Sequence, residues 1–247
     1  MILLKSKSQV EKIKRACEVV HQTLNFLQNK IQPGITTEEL DRQAEKFISS
    51  KGAVPSFKGY KGYPANICTS INEELVHGIP SKRSLKKTDI ISIDVGVELD
   101  GFFGDAARTY TVTDKVLPEA KRLIEVTHKS LELGIKQAMS GNRLFDISYA
   151  IQNFVEGEGF SVVRQFVGHG LGLAIHEDPQ IPNYGKPHTG IRLKPGMVLA
   201  LEPMVNAGNY RVEVLDDDWT VVTKDRKLCA HFEDTVYISE KKVEVLT

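Results

Sequence analysis

Two aspartates lie inside a stretch of the chain that is otherwise apolar. Isoleucines and valines alternate through residues 90–99, which is typical of a β-strand, and this run contains Asp94. Asp100-Gly101 is a strong hairpin signal, and the predicted return strand to Thr111 contains Asp105. Burying an ionised carboxylate without a partner is costly. Taken alone, each aspartate would be explained by a core arginine or by a turn that it caps.

Two glutamates occupy the equivalent places in the second half of the chain. Glu202 aligns with Asp94 at a shift of 108 residues. Glu233 lies on a return strand, as Asp105 does, after an insertion through residues 206–223. Four carboxylates directed into one core cannot all ionise unless cations lie between them. The sequence therefore predicts a divalent metal site where two hairpins face each other.

Three of the seven histidines have a sequence context that favours a role at this site. His169 lies in a Gly-His-Gly-Leu-Gly run, and glycines allow the backbone to approach a site closely. His176 lies seven residues further on, and His77 precedes a Gly-Ile-Pro turn. A single histidine is more often an ordinary hydrogen-bonded residue of the core or surface. We assign that ordinary role to His21, His128 and His188.

Helices at the start of the chain would support the first hairpin. Apolar residues at helical spacing predict a helix over residues 9–30, ended by Pro33-Gly34. Thr36 or Thr37 then caps a second predicted helix, which ends near Gly52. Short strands are expected after this helix, over residues 66–71 and 74–77. In the second half, a strand is expected over residues 162–167, with His169 just beyond its end.

The order of these elements repeats along the chain. At a shift of 107 residues, His21 falls on His128 and Gly52 falls on Gly159. Aligned glycines, a histidine and an acid in nearly one register favour an internal duplication over chance. We therefore expect one catalytic domain over residues 1–247, composed of two halves at roughly 9–114 and 118–247.

Composition excludes several classes of protein. The 247 residues are 41% hydrophobic and 26% charged, which is typical of a folded globular chain. The 32 basic and 32 acidic residues cancel, so no basic excess indicates nucleic acid or an anionic membrane as the main partner. Cys17, Cys68 and Cys229 form no CxxC pair, which argues against a disulfide framework or a thiolate zinc site. We found no signal-peptide pattern and no membrane-spanning run, so we expect a cytoplasmic protein.

Short motifs along nearly the whole chain resemble those of type I methionine aminopeptidases. The matching segments are NICTSINEE (66–74), HGIP (77–80), DVG (94–96), GD (104–105), GHG (168–170), HE (176–177), EPM (202–204) and FEDT (232–235). Each segment is short, but their order and spacing together are specific. The resemblance implies the α+β pita-bread fold, in which two pseudo-twofold-related αβ halves place a curved antiparallel sheet around a dinuclear metal site.

The resemblance also implies the roles of individual residues. The metal ligands would be Asp94, Asp105, His169, Glu202 and Glu233. In the family pattern, Asp105 and Glu233 bridge two divalent ions, which could be Co, Mn, Fe or Zn, and a monovalent cation is also compatible with the pattern. Metal-activated water would attack the scissile carbonyl while Glu202 moves a proton. The catalytic residues His77 and His176 would contact the scissile amide and stabilise negative charge on its oxygen.

A pocket for the methionine side chain is implied in the same way. Its walls would be Tyr60, Tyr63, Cys68 and Trp219, with Phe57 and Ile175 beside them. Aromatic and sulfur-containing surfaces suit a polarizable thioether. Ordinary core packing is the alternative for Tyr60 and Phe57. Phe57, Val167 and Ile175 depart from the residues expected in familiar bacterial members, which leaves the pocket shape open. No thiolate-activating motif surrounds Cys68, so we interpret it as pocket wall.

The resemblance implies removal of the initiator methionine from nascent proteins whose second residue is small. We expect a monomer that contacts the ribosome transiently. One alternative is a prolidase or Xaa-Pro aminopeptidase, which shares the fold and the five ligands but usually carries an additional N-terminal domain. A second alternative is a non-catalytic binding member of the fold. Such proteins lose ligands, whereas all five are present here.

Overall fold

Within residues 2–247, which the computed structural model describes, four α-helices form two pairs. In chain order the helices are α1 (Lys7–Gln28), α2 (Thr37–Ser50), α3 (Pro118–Gln137) and α4 (Leu144–Gly157). The two helices predicted in the first half are confirmed, and α1 begins and ends two residues earlier than expected. None of the helices in these residues is both long and apolar enough to span a bilayer.

Side-chain caps explain where the first two helices begin. The Ser6 hydroxyl accepts a hydrogen bond from the Gln9 backbone N–H, and the Gln9 side chain accepts one from the Ser6 N–H, which forms a capping box. The Thr36 hydroxyl accepts from the Glu39 N–H at 3.2 Å. Thr36 is therefore the cap of α2, and Thr37 is its first helical residue.

The strands are short except for one long hairpin. In chain order they are β1 (Val54–Pro55), β2 (Cys68–Ile71), β3 (Glu74–Val76), β4 (Ile90–Leu99), β5 (Phe102–Thr111), β6 (Ser161–Val162), β7 (Gly168–Gly170), β8 (Glu177–Ile181), β9 (Val198–Leu201), β10 (Met204–Asn206), β11 (Val212–Val214), β12 (Val221–Thr223), β13 (Cys229–His231), β14 (Glu233–Ile238) and β15 (Val243–Val245). A 3-10 turn covers Tyr60–Gly62.

The main sheet joins strands from both halves of the chain. Hydrogen-bonded neighbours follow the order β1-β4-β5-β14-β9-β7-β8, with β2 also paired to β4 and β15 to β14. All these pairings are antiparallel. The predicted hairpin is β4–β5, and Asp100 and Gly101 turn it with φ values of 54° and 77°. The two halves meet where β5 pairs with β14.

Two smaller three-stranded sheets complete the fold, in the orders β13-β10-β6 and β11-β12-β3. The second of them contains the hairpin β11–β12, which lies within the predicted insertion of residues 206–223. The return strand predicted after this hairpin is divided at Phe232. Its first part, β13, pairs with β10 in a small sheet, and its second part, β14, lies in the main sheet.

The strand predicted over residues 162–167 is wrong. The structure has β6 only at Ser161–Val162, and His169 lies in the separate strand β7. The apolar residues that suggested a strand are buried for another reason. Val163 packs in a small apolar cluster, and Phe166 lines the central cleft. An apolar pattern indicates that residues are buried, but it does not show whether they lie in a strand. Here the buried residues belong to a loop that packs against the rest of the fold.

Each helix pair buries its apolar face against the main sheet. Leu40 of α2 packs in one cluster with Ile91 of β4. Ile147 of α4 packs in another cluster with Leu199 of β9. Ile91 and Leu199 are 108 residues apart, which is the same shift that aligns Asp94 with Glu202. The helices therefore hold the outer face of the sheet and leave its inner face to polar residues.

Helix α1 approaches β5 so closely that the strand has no side chain at the crossing point. A Cβ atom built on Gly104 would lie 2.7 Å from the backbone nitrogen of Cys17 and 2.9 Å from the carbonyl carbon of Ala16. Backbone atoms cannot give way as a flexible side chain can. Gly104 is therefore required by packing, and it precedes Asp105 in the strand that carries this acid.

We expect Gly104→Ala to lower the free energy of unfolding by about 1–3 kcal/mol, because the added methyl group overpacks the contact between α1 and β5. Urea unfolding of the metal-free protein measures this. Gly157→Ala is the matched control, since a Cβ there meets nothing within 4 Å. An unchanged unfolding midpoint for Gly104→Ala would contradict this account of the crossing.

Candidate active site

The strand register places three of the predicted acids side by side. Asp94 of β4 and Glu233 of β14 both pair with Ala107 of the central strand β5. Residues directly opposite each other share a face of the sheet, so both carboxylates lie on the same side as Ala107. Asp105, two residues before Ala107, faces the same side. The small side chain of Ala107 leaves the space between these acids open.

Glu202 and His169 approach from the other side of β14. The pairing of Asp234 with Leu201 brings the next residue, Glu202, beside Glu233. His169 of β7 pairs with Ala200, which lies two residues before Glu202. Neighbouring strands therefore direct all five predicted metal ligands at one point on the inner face of the sheet.

Distances from the His169 ring define this point. Nε2 of His169 lies 3.6 Å from Oε1 of Glu202 and 3.9 Å from both Oδ2 of Asp105 and Oε1 of Glu233. The ligand atoms of Asp105, His169 and Glu233 all lie within 4.8 Å of one another. Ligands about 2.0–2.3 Å from a common metal ion have this spacing.

A hydrogen bond fixes which nitrogen of His169 faces the acids. Nδ1 lies 3.0 Å from the carbonyl oxygen of Gly170. A carbonyl oxygen can only accept, so Nδ1 carries the proton and Nε2 keeps its lone pair. Burial also lowers the pKa of His169 to about 4, which keeps the ring neutral near pH 7. The imidazole is therefore prepared to donate Nε2 to a metal ion.

Backbone contacts hold the two glutamates in place. Arg108 donates hydrogen bonds to the carbonyl oxygen of Glu233 and to the carboxylate of Asp234. The side-chain amide of Asn183 donates to the carbonyl oxygen of Glu202 at 2.9 Å. The only guanidinium in these contacts thus bonds the peptide group of Glu233 and leaves its carboxylate available.

The acids are crowded and lack a basic partner. Burial raises the pKa of Asp94 to about 7. Burial and the neighbouring acids raise the pKa values of Asp105, Glu202 and Glu233 well above their ordinary range. Across residues 2–247, no ion pair with lysine or arginine involves these four groups. Without a cation, the site can only relieve its charge by binding protons.

Unpartnered atoms show that the site fits a metal ion. Oδ1 of Asp94, Oδ1 of Asp105 and Oε1 of Glu233 are buried without a hydrogen-bond partner. Leaving a buried acceptor unsatisfied costs about 1–3 kcal/mol. Carboxylate oxygens with one imidazole nitrogen form a donor set suited to divalent ions such as Mn, Fe, Co or Zn. The residues present therefore fit divalent metal.

A cavity of about 500 Å³ opens from the acids. That volume is within the range of small-molecule and peptide side-chain sites. The predicted site residues that line it are Tyr60, Tyr63, Cys68, His77, Asp94, Asp105, His169, His176, Glu202, Trp219 and Glu233. The structure therefore brings every predicted site residue to one cleft.

His77 lies in the cleft with a strained backbone. Its φ of 60° is in the left-handed region, which is uncommon for residues other than glycine and costs about 1–3 kcal/mol. The ring packs edge-on against Phe166 and Trp219, at 5.6 and 6.2 Å between ring centres. Burial lowers the pKa of His77 to about 4, so the ring is neutral near pH 7.

His176 lies at the rim of the cleft and contacts two rings. Its ring centre is 4.3 Å from that of His169 and 5.1 Å from that of Tyr60. The Tyr60 hydroxyl lies 3.0 Å from Nδ1 of His176. Desolvation, followed by the nearby His169, Lys61 and His77, lowers the pKa of His176 to about 3. Tyr60 thus contacts a predicted catalytic residue as well as lining the pocket.

An apolar wall closes one side of the cavity. Tyr63, Cys68 and Ile175 pack in one cluster with Phe57. The Phe57 ring lies over Gly96, where a Cβ would be 2.5 Å from the ring atom Cε1. Phe57 lines the cavity directly, whereas Ile175 packs in the cluster behind it. Burial and the nearby Asp94 raise the pKa of the Cys68 thiol well above its ordinary value, which agrees with a wall residue.

His231 is a site residue that the sequence did not predict. Its side chain is 2% exposed, and Nε2 lies 3.7 Å from Oε2 of Glu202 and 4.0 Å from Oε2 of Glu233 without a hydrogen-bond partner. The signal available was its place two residues before Glu233. Phe166 and Met204 also line the cavity. Phe166 had no distinguishing signal, whereas Met204 lies in the EPM segment that carries the resemblance.

The three histidines that we assigned ordinary roles lie outside the residues lining the cavity. His21 hydrogen-bonds Asn25 on the exposed face of α1, at 2.9 Å. His128 packs against the Phe232 ring, and His188 lies 3.4 Å from a carboxylate oxygen of Asp146. These contacts agree with ordinary structural roles.

Known proteins resemble the chain over its whole length. Residues 11–240 match metallopeptidase family M24. Methionine aminopeptidase 1 of Bacillus subtilis is 55% identical over 247 residues, which cover 100% of this chain and 99% of the relative. A methionine aminopeptidase of Clostridium perfringens is 53% identical with the same coverage.

Solved structures agree with the sequence relatives. The methionine aminopeptidase of Rickettsia prowazekii has a TM-score of 0.98 at 43% identity and covers 100% of both chains. These neighbours confirm the pita-bread fold that the sequence resemblance implied. The prolidase of Pyrococcus furiosus has a TM-score of 0.80 at 23% identity, with 99% of this chain and 65% of that chain covered, and shows a shared fold only.

We expect binding of Mn²⁺ to the metal-free protein to release protons near neutral pH. Burial raises the pKa of Asp94 to about 7, so this acid keeps its proton below that pH and must lose it to bind a cation. Affinity should therefore rise with pH, by about tenfold per unit for each proton released, and level off once the acids that bind the ion are ionised in the metal-free protein. Titration calorimetry in two buffers of different ionisation enthalpy counts the protons. Equal Mn²⁺ affinity at pH 6 and pH 8 would contradict the conclusion that the buried acids must lose protons to bind the ion.

Proposed function

The chain belongs to metallopeptidase family M24, and we propose that it is a metal-dependent aminopeptidase that releases methionine from the N-termini of proteins. One observation carries the proposal: a buried cluster of four acids and His169 opens directly onto an apolar, sulfur-containing pocket. The full-length relatives named methionine aminopeptidase support the same activity. The two features together supply the hydrolytic chemistry and the side-chain selection that this reaction needs.

We assign the metal ligands to Asp94, Asp105, His169, Glu202 and Glu233, and we propose two divalent ions per chain. Support comes from the number of buried acids, since one ion would leave four carboxylates with excess negative charge. The identity of the ions among Co, Mn, Fe and Zn is left to measurement, as is the monovalent cation. When bound, such ions lower the pKa of water and polarise a carbonyl oxygen, and two-metal sites are known in aminopeptidases.

The side chains around the metal site supply the remaining steps. We assign Glu202 the transfer of the proton between water and the leaving amine, because its carboxylate faces the cleft and has a raised pKa. The two neutral rings of His77 and His176 contact the scissile amide. A donor N–H there stabilises the negative charge that develops on the carbonyl oxygen.

The Tyr60 hydroxyl determines which nitrogen of His176 makes that contact. If this hydroxyl donates to Nδ1, the ring proton is held on Nε2. Nε2–H is then the donor presented to the substrate. Stacking of the Tyr60 ring on His176 keeps the imidazole in that orientation.

Specificity follows from the apolar wall. Tyr63, Cys68, Trp219 and Phe57 bound a cavity whose lining suits an unbranched, polarizable side chain. The substrates we propose are nascent proteins with a small second residue. This choice, the transient ribosome contact and the monomeric state are supported by the resemblance alone. We also propose the cytoplasmic location expected from the sequence. The single catalytic domain with two related halves is likewise our proposal.

The Xaa-Pro peptidases are the alternative from the same fold. Their structures share the fold at 21–23% identity, whereas the methionine aminopeptidases are related over full length at 30–55%. A non-catalytic binding protein is disfavoured by the retention of all five ligands together with His77 and His176.

Peptide cleavage tests the proposed function. We expect metal-stripped protein to release methionine from Met-Ala-Ser only after Mn²⁺ or Co²⁺ is added back, and to leave Ala-Pro-Ala intact. Chromatography of the free amino acids measures both reactions. Cleavage before proline would indicate the Xaa-Pro branch. Failure to cleave either peptide, with metal shown to bind, would indicate a binding protein.

We expect Tyr60→Phe to reduce kcat by about 2- to 10-fold with little change in KM. The variant keeps the stacked ring but removes one neutral hydrogen bond, worth about 0.5–1.5 kcal/mol. Steady-state kinetics with Met-Ala-Ser measure the effect. Tyr184→Phe is the matched control, because Tyr184 is exposed and lies outside the residues lining the cavity. An unchanged kcat for Tyr60→Phe would remove the hydroxyl from the mechanism.

A further inference from the structure

The loop of residues 171–176, between β7 and β8, carries two residues of the cleft. His176 lies at the rim beside His169, and Ile175 packs in the apolar wall. Leu173 and Ala174, in the middle of the loop, are exposed. Apolar packing therefore holds the two ends of the loop, at Leu171 and Ile175, and polar contacts must hold its exposed middle.

The carboxylate of Glu177, the residue after His176, binds the backbone of this loop. Its Oε1 accepts hydrogen bonds from the backbone N–H groups of Leu173 at 2.7 Å and Ala174 at 3.1 Å. The carboxylate thus ties the middle of the loop to its end. The side chain of Glu177 is only 9% exposed, so its negative charge needs a partner within the protein.

Lys5 is that partner, although it lies 172 residues away in the sequence. Its ammonium group pairs with Oε2 of Glu177, and its side chain is 2% exposed. The Lys5 backbone N–H donates to the carbonyl of Gly196 at 2.7 Å, and Nζ also donates to the carbonyl of Leu3 at 3.3 Å. These contacts anchor the segment before α1 and place the buried positive charge of Lys5 against Glu177.

Gly172 makes room for this contact. A Cβ on Gly172 would collide with Cε of Lys5 and would lie 3.0 Å from Cδ1 of Ile13. The residue also has a φ of 146°, which a side chain would disfavour. The glycine in the loop and the lysine in the N-terminal segment thus fit each other, and the carbonyl of Gly172 accepts from Phe103 N–H at 3.0 Å.

We propose that Lys5 is a positioning residue for His176, acting through Glu177 and the loop 171–176. The proposal rests on the proposed function, since the role of His176 belongs to that reaction. With the ion pair intact, the loop presents the imidazole at a fixed distance from His169. Without it, Glu177 is a buried charge that turns toward water and releases the N–H groups of Leu173 and Ala174.

A purely structural tie would give a different result from a positioning role. Loss of a structural tie lowers stability and leaves the turnover of the folded enzyme unchanged. Loss of positioning lowers kcat in enzyme that is folded and loaded with metal, because a shift of about 1 Å at a reacting group can cost up to 100-fold. The two roles are therefore separated by kinetics at a temperature where all variants are folded.

The test compares Lys5→Met with the wild type and with Lys7→Met. Lys7 is exposed at the start of α1 and serves as the matched control for removing a lysine from the same segment. Bound metal is first counted by elemental analysis, and release of methionine from Met-Ala-Ser is then measured. Absence of activity in the wild type would refute the proposed function and would be seen before any variant is considered.

For Lys5→Met we expect kcat to fall by about 10- to 100-fold, with KM changed less than kcat and with the bound metal unchanged. Hydrogen exchange followed by mass spectrometry should show faster exchange in residues 171–177, because the Leu173 and Ala174 amides lose their acceptor. Lys7→Met should match the wild type in both measurements. A kcat for Lys5→Met equal to that of Lys7→Met would overturn the proposal.

Glu177→Gln keeps the test decisive if Lys5→Met does not fold. In this variant Lys5 becomes the buried charge without a partner and turns toward water. The amide oxygen can still accept from Leu173 and Ala174, but the N-terminal segment no longer holds the side chain of residue 177 in place. We expect a lower kcat here also, in the same direction as for Lys5→Met. Wild-type kcat in folded Glu177→Gln would overturn the proposal independently of the lysine variant.

Discussion

The structure depends on the burial of four carboxylates on one face of a sheet. Asp94, Asp105, Glu202 and Glu233 lie together, no lysine or arginine of the described chain forms an ion pair with them, and three of their oxygen atoms lack a hydrogen-bond partner. Charges in this arrangement repel one another unless protons or cations intervene. Bound cations are therefore needed if the four acids are to be ionised while they are buried on this face of the sheet.

The surrounding fold meets that condition by placing rigid elements behind each acid. Asp94 and Glu233 flank Ala107 in the register of three adjacent strands, and Gly104 allows α1 to support the same hairpin. Arg108 bonds the backbone at Glu233 and pairs its charge with Asp234, so it leaves the Glu233 carboxylate available. The side of the cleft that carries His77 and His176 is built differently. His77 and His176 lie on irregular segments, which need specific contacts such as the Tyr60 hydroxyl and the Lys5–Glu177 pair.

Sequence patterns predicted the parts of the molecule that depend on local periodicity. The hairpin around Asp100-Gly101, a helix cap at Thr36 or Thr37 and the acids within the strands all follow from alternation and turn chemistry, and the structure places the cap at Thr36. The strand over residues 162–167 failed because a packed loop has the same apolar content as a strand. His231 and Lys5 were not predicted, since each derives its place from residues distant in sequence. A lysine near the start of a chain gives no local sign that it is buried.

Manganese titration followed by electron paramagnetic resonance tests the central claim most directly. If the four carboxylates are neutralised by two adjacent cations, metal-free protein should bind two Mn²⁺ per chain, and the spectrum at saturation should be that of an exchange-coupled pair, as expected for ions about 3.5–4 Å apart. Saturation at a single, magnetically isolated Mn²⁺ would contradict the account. It would mean that protons, and not a second metal ion, balance the charge of the buried acids.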